Sequence, residues 1–167
     1  MNEPNAQLSE TLQIISTAQS EALLTQALAN PRKREHVLLH SDHDDAVQRL
    51  LVALELNTYI QPHRHAHQWE MIVPLRGILR LIVFSNDGVI ENCIDIEAAK
   101  TAIVQIPTGL WHTVLPIEPA LILETKPGPY RPAQFAPWAP NETDTELDEI
   151  RKWLKVAQIG SRLGEPI

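Results

Sequence analysis

The 167-residue chain carries 14 Lys and Arg against 21 Asp and Glu, a formal charge of -7, with 44% hydrophobic and 21% charged residues. This size suits one domain with a sizeable core, the composition excludes wholesale disorder, and the acidic balance speaks against nucleic acid or an anionic membrane as partner. The sequence has no run of about 18 apolar residues, and its first 20 residues, with Glu3 and Glu10, lack a signal-peptide core, so a cytoplasmic location is expected.

Ser16-Thr17-Ala18-Gln19 has the spacing of a helix capping box. Ala22, Leu23, Leu24, Ala27 and Leu28 recur at helical intervals until Asn30-Pro31, which predicts a short N-terminal helix over 16–30. The cluster Pro31-Arg32-Lys33-Arg34 reads as a solvated helix exit. His36 has no partner in view. His40 and His43, with Asp42, Asp44 and Asp45, match no common metal cage and read as a solvated turn.

From Val47 the chain becomes a series of short Ile-, Val- and Leu-rich runs: VQRLLVALEL, TYIQPHRH, WEMIVPL, ILRLIVF, VIENCIDI, AIVQIP, WHTVL and LILETK. Turn signals at Arg76-Gly77, Ser85 to Gly88, Pro107 to Gly109 and Glu118-Pro119 separate them, so eight strands over 46–126 are expected to form a sandwich or closed barrel. Cys93, the single cysteine, reads as a small apolar residue within a strand. Seven of the 13 prolines fall between Pro116 and Pro140. Residues 127–141 are therefore expected to run as an extended strap anchored by Tyr130, Phe135 and Trp138. Thr143 with Glu146 has capping-box spacing and opens a C-terminal helix over 143–158, with Leu147, Ile150 and Leu154 on one face. Residues 1–167 read as a single domain.

The segment PHRHAHQWEMIVPLRG, from Pro62 to Gly77, concentrates the chemistry. In a strand, alternate side chains share a face, so His63 and His65 project together while Arg64 points away. Glu70 opens the next strand, where a short loop can return it to the two imidazoles. A tight turn in Pro107-Thr108-Gly109-Leu110-Trp111-His112 would deliver His112 from a distant strand. Three imidazole nitrogens and one carboxylate oxygen suit a divalent transition metal ion: iron, manganese, cobalt, nickel or zinc. His67 continues the alternation, and reads as a further ligand or as a loop histidine at a pocket rim.

His63, His65, Glu70 and Gly77 follow the spacing HxH-x4-E-x6-G, and Pro107, Gly109 and His112 follow PxGxxH; these resemble the first and second motifs of the cupins. Asn57 and Thr101 stand where the motifs usually start with glycine, and Pro116 where the second usually closes with asparagine. Asn57 is a tolerable change, because asparagine also accepts a left-handed turn. HDDAVQRLLVAL, ELNTY, PTGLWH, ETKPGPYRP and FAPWAP further resemble the WbuC-type cupin metalloproteins, from about Ser16 through Pro140. The resemblance implies a mainly β, double-stranded jelly-roll barrel with a helical extension, and one metal ion held by His63, His65, Glu70 and His112; it leaves His67 as a loop histidine at the pocket rim, because pairing His65 with His67 would leave only two residues before Glu70. Members are often encoded near genes for surface polysaccharide, O-antigen in particular. Pro74 departs from the usual apolar residue and is expected to mark a bulge or an edge.

Trp69 and Trp111 flank two of these positions, with core packing the first expectation and a pocket wall the second. One face of the Gln48–Arg49 strand and one face of the Glu124–Thr125–Lys126 strand must carry polar groups into the barrel, and Gln105 is a further candidate partner for the site. Four protein ligands leave one or two coordination positions for water or a small-molecule substrate. A metal-dependent enzyme acting on a small polar molecule, a sugar or its nucleotide-linked form, is the first expectation; a non-enzymatic binding or sensing protein is the second. A metal-free sugar epimerase is a third, against which the complete ligand set speaks. Exposed sheet edges make a homodimer the expected assembly.

Overall fold

The protein is described from a computed structural model covering residues 12–100, 103–144 and 147–166. In chain order the elements are α1 (Thr17–Ala29), β1 (Arg34–Leu38), β2 (Val47–Leu54), β3 (His63–Arg64), β4 (Glu70–Arg76), β5 (Ile78–Phe84), β6 (Ile90–Glu97), β7 (Val104–Ile106), β8 (Trp111–Pro116), β9 (Ala120–Pro127), β10 (Gln134–Phe135) and α2 (Leu147–Val156). The strands form two five-stranded antiparallel sheets, ordered β1-β2-β9-β4-β7 and β10-β3-β8-β5-β6, with a helix toward each end of the chain.

The two-residue period of the strands sorts side chains into three cores. Leu54, Ile72, Leu79, Leu81, Val114 and Ile122 form one cluster drawn from strands of both sheets. The alternate residues Leu51, Ala53 and Leu121 pack against Leu23, Leu24 and Ala27 of α1. On the other sheet, Ile82, Phe84, Ile90 and Leu115 pack against Leu147 and Leu154 of α2 and against Ala136 and Ala139. Each sheet thus has one face toward the shared interior and one beneath a helix. The expected N-cap holds: Ser16 accepts the Gln19 backbone N–H while the Gln19 side chain accepts from the Ser16 backbone, closing the capping box. Of the expected apolar face of α1, Leu28 is exposed at 57%.

Ten strands are found among the described residues, where eight were expected. The segment after α1 supplies one of the additional two: Lys33 turns with φ 58 and Arg34 begins β1, which pairs with β2 along five residues. Pro31 and Arg32 stay exposed as expected of a solvated exit, but Arg34 does not. Arg32 and Arg34 converge on Glu142 at 2.7 and 2.6 Å, with the Arg34 side chain only 15% exposed. Of TYIQPHRH only His63 and Arg64 are strand. The strap contributes the other strand, β10, at the edge of its sheet, and its core contacts are Ala136, Trp138 and Ala139; the Tyr130 and Phe135 side chains are half or more exposed, and these two residues hold the strap through the Tyr130 N–H to the His43 carbonyl and the pairing of Phe135 with His63. His40 is buried, with Nδ1 accepting the Arg49 backbone N–H, so that part of HSDHDDA is not a solvated turn. Cys93 is half-buried beside the core beneath α2. Glu3, Glu10, Thr101 and Glu146 lie outside the described residues, and the helix is described from Leu147 to Val156.

Pro74 marks the bulge expected of it: the β4–β9 register shifts between Pro74 and Arg76, and the described pairing of β4 with β7 runs from Glu70 to Ile72. Asn57 adopts φ 70, the left-handed conformation its place requires. Gly77 turns β4 into β5 with φ 75, and a β-carbon there would stand 2.2 Å from the Pro119 carbonyl oxygen. Gly77→Ala therefore combines a disfavoured backbone region with a backbone clash, and chemical denaturation is expected to show a loss of about 3 kcal/mol.

Candidate metal centre

β3 is short, but it lies between two partners: His63 pairs with His112 of β8 on one side and with Phe135 of β10 on the other. The turn before β8 is fixed to the same segment, because Gly109, at φ 80, donates its N–H to the His65 carbonyl at 2.9 Å. Glu70 opens β4 on the opposing sheet, and alternation carries Glu70 and Ile72 to the shared interior, as it does His112 and Val114. Arg64 points away, with its guanidinium carbon 4.4 Å from the centre of the Trp111 ring.

One donor atom from each of His63, His65, Glu70 and His112 lies within 4.8 Å of all the others. The Glu70 Oε2 atom is 3.0 Å from His65 Nε2 and 3.3 Å from His112 Nε2. Nδ1 of His63 is 3.0 Å from the Gln61 carbonyl and that of His112 is 2.9 Å from the Leu110 carbonyl. A carbonyl only accepts, so Nδ1 carries the hydrogen in both, which leaves Nε2 as the donor atom of each ring; that of His112 is the one that lies 3.3 Å from Glu70 Oε2. Glu70 Oε2 and His65 Nδ1 are buried without a hydrogen-bond partner among the described residues. Convergent lone pairs around an unpartnered carboxylate oxygen lack a positive centre, and a divalent transition metal fits that donor set.

The electrostatics agree with this reading. Burial and the neighbouring His112 lower the His63 pKa to about 3, so this imidazole is neutral and free to donate its lone pair. Burial pushes the Glu70 carboxyl up, but His112 and His65 outweigh it and hold the group well below the usual carboxylate range. His112 is raised, since Glu70 overcomes the opposing effect of burial.

The cluster opens into a cavity of about 380 Å³. Apolar residues, among them Val52, Leu54, Ile72 and Ile122, form much of its wall, and Arg34, Tyr130, Arg131, Phe135 and Glu142 also line it. The inner face of β9 supplies Glu124 and Lys126, joined by a 2.6 Å ion pair. Burial and Glu70 raise the Glu124 pKa, while Glu124 and Glu70 overcome burial to raise that of Lys126.

All four expected ligand residues are brought together. Glu124 and Lys126, not Thr125, are the members of their strand that face the cavity. Gln48 is buried too, but it hydrogen-bonds the His43 and Asp45 carbonyls instead of serving the site. Gln105 is exposed and is not a partner of the centre. His67 is exposed and outside the cavity lining. Trp111 packs in the core beneath α2 and donates to Asn86, whereas Trp69 is half-buried and lines no part of the cavity. His36, Arg34, Arg131 and Glu142 line the cavity without having been expected there. Pairing of His36 with Val52 in β1–β2 register accounts for the first, a signal available only once β1 is recognised.

A family described as a domain of unknown function, DUF6016, matches residues 15–96. No curated protein matches. Among solved structures, a conserved protein of unknown function from Streptococcus pyogenes is 12% identical, covering 74% of this chain and 93% of that one with a TM-score of 0.50. KdgF from a Halomonas species is 14% identical over 61% of this chain and 84% of its own, at a TM-score of 0.49. A cupin-2 domain-containing protein from Shewanella frigidimarina is 19% identical over 55% and 80%, at 0.42. At 12% identity the likeness to the Streptococcus pyogenes protein is one of fold alone. No described helix is long and apolar enough to cross a membrane.

Metal and proton compete for His112 Nε2, and raising its pKa strengthens the proton. His63, lowered to about 3, takes no proton between pH 6 and 8. Affinity for Mn(II) is therefore expected to fall by about tenfold per pH unit once pH drops below the raised His112 range. Calorimetric titrations across pH 6–8 would contradict this if affinity were unchanged.

Proposed function

We propose that this chain is a cupin-type metalloprotein that binds one divalent transition metal ion (iron, manganese, nickel, zinc or cobalt) through His63, His65, Glu70 and His112, and acts as an enzyme on a small polar molecule. The observation that carries the metal assignment is the buried, unpartnered Glu70 Oε2, 3.0 and 3.3 Å from two imidazole nitrogens. The cavity beside it supports a small-molecule ligand. The motif spacing supports the cupin assignment and a jelly-roll arrangement of the two sheets; the cavity motivates a sugar or nucleotide-linked sugar as the small polar molecule, and the WbuC-type resemblance adds only that its members are often encoded near genes for surface polysaccharide.

When bound, such an ion supplies Lewis-acid polarisation or a lowered pKa for water. The chain's own part is to fix His63 and His112 through the Gln61 and Leu110 carbonyls, to present the ionised Glu70, and to keep water from the apolar wall. A second reading, ligand capture without turnover, is favoured by a specific observation: Glu124, the cavity carboxylate nearest in register to the cluster, is engaged by Lys126 and is not free to serve as a base. Following substrate depletion by iron- and manganese-loaded protein separates the two readings.

Glu70→Gln keeps the shape of the side chain but removes its charge. It is expected to weaken Mn(II) binding by at least about a hundredfold. Gln105→Ala, altering an exposed residue, is expected to leave binding unchanged. Elemental analysis after dialysis against metal tests both, and a full metal complement in Glu70→Gln would remove the assignment. For the assembly, we propose a homodimer using the outer edge of β1, which pairs with no further strand among the described residues and where Val37 and Leu38 are each 37% exposed. Light scattering should give twice the chain mass; a monomer would remove this reading.

A further inference from the structure

β9 changes character along its inner face. Ala120 and Ile122 are apolar and packed, but the next two inward positions are Glu124 and Lys126. Their side chains are only 16% and 11% exposed, although a charged pair in such a place is generally no more stable than apolar residues of the same volume. The position of Lys126 is specific. Met71 pairs with Thr125, so Glu70 and Lys126 are the next residues in antiparallel register, both on the interior side. Lys126 is therefore the cation beside the Glu70 ligand. Its ammonium has three N–H donors; one goes to Glu124 Oε1, and no other partner is found for it among the described residues.

The charge of the whole cavity points the same way. Its lining includes the cations Arg32, Arg34, Lys126 and Arg131. Glu35, Glu70, Glu124 and Glu142 balance these. A divalent ion then leaves the cavity with a surplus of two positive charges in a chain whose formal charge is -7. Arg131 makes no ion pair or hydrogen bond among the described residues.

Building on the metal centre proposed above, we infer that the cavity takes an oxyanion-bearing small molecule, a carboxylate or a phosphate ester, and that Lys126 is the residue that receives its anionic oxygen. Glu124 orients the ammonium and balances it when no ligand is bound. The surplus charge makes a neutral polyol of equal size the weaker ligand.

Three probes share a six-carbon skeleton: glucose, gluconate and glucose 6-phosphate. Calorimetry of each against Co(II)-loaded full chain is expected to show gluconate or glucose 6-phosphate binding at least about tenfold tighter than glucose, and the better of the two identifies the carboxylate or the phosphate. The double variant Lys126→Met/Glu124→Gln removes the pair without leaving either charge buried alone. It is expected to retain one Co(II) per chain and to lose that preference by about tenfold. Failure of the wild-type chain to bind Co(II) would overturn the metal centre itself. Binding of Co(II) with no preference for either anion, or a preference that survives in the double variant, would overturn this inference alone.

Discussion

A carboxylate removed from water must find compensating charge or hydrogen bonds, and the interior of this protein is arranged around that requirement at Glu70. Two imidazoles approach its Oε2 within 3.3 Å, yet the atom has no hydrogen-bond partner among the described residues. The carbonyls of Gln61 and Leu110 engage the far nitrogens of His63 and His112, directing the near lone pairs inward. Such a cluster is electrostatically incomplete by itself and becomes favourable around a cation.

The fold bears that cost by confining it to one end of the interior. On three strands the inward residues pass from apolar to polar: Ile72 to Glu70 on β4, Val114 to His112 on β8, and Ile122 to Glu124 and Lys126 on β9. The outer faces of the sheets hold their own cores beneath α1 and α2, so the stability of the scaffold does not rest on the shared interior alone. Burial of Leu, Ile and Phe side chains, each contributing about 1.5–3 kcal/mol, offsets a polar cavity that an entirely apolar sandwich would lack.

The four-residue cluster was legible because strand alternation, turn signals and the match to the two cupin motifs constrain it together. Alternation in a strand puts His63 and His65 on one side, and the Pro107–Gly109 turn places His112 at the start of β8. The capping box at Ser16 and the irregularity at Pro74 were likewise local rules with local outcomes. What escaped depended on distant partners. Arg34 belongs to β1 and meets Glu142, 108 positions away, so a charge run that would otherwise be solvated becomes part of the cavity lining. His40 looked exposed among aspartates, but its ring is buried against the Arg49 backbone. Sequence also could not choose the cavity face of β9, because a strand of alternating polar residues reads equally well in either orientation until its register with β4 is known.

The strap shows how a segment without ligands can still control the centre. β3 is only two residues long, too short to hold a defined position by pairing with β8 alone. β10 pairs with its other side, matching Phe135 to His63 and Gln134 to Arg64. The Ala136 N–H reaches the Pro62 carbonyl, and the Gln61 side chain reaches the carbonyls of Ala136 and Ala139. Trp138 then fixes the strap to Phe84 and Trp111 in the core beneath α2. The position of His63 is thus transmitted from that core through the strap and into β3. The prolines that prevent residues 127–141 from forming a helix also keep them extended enough to make this connection.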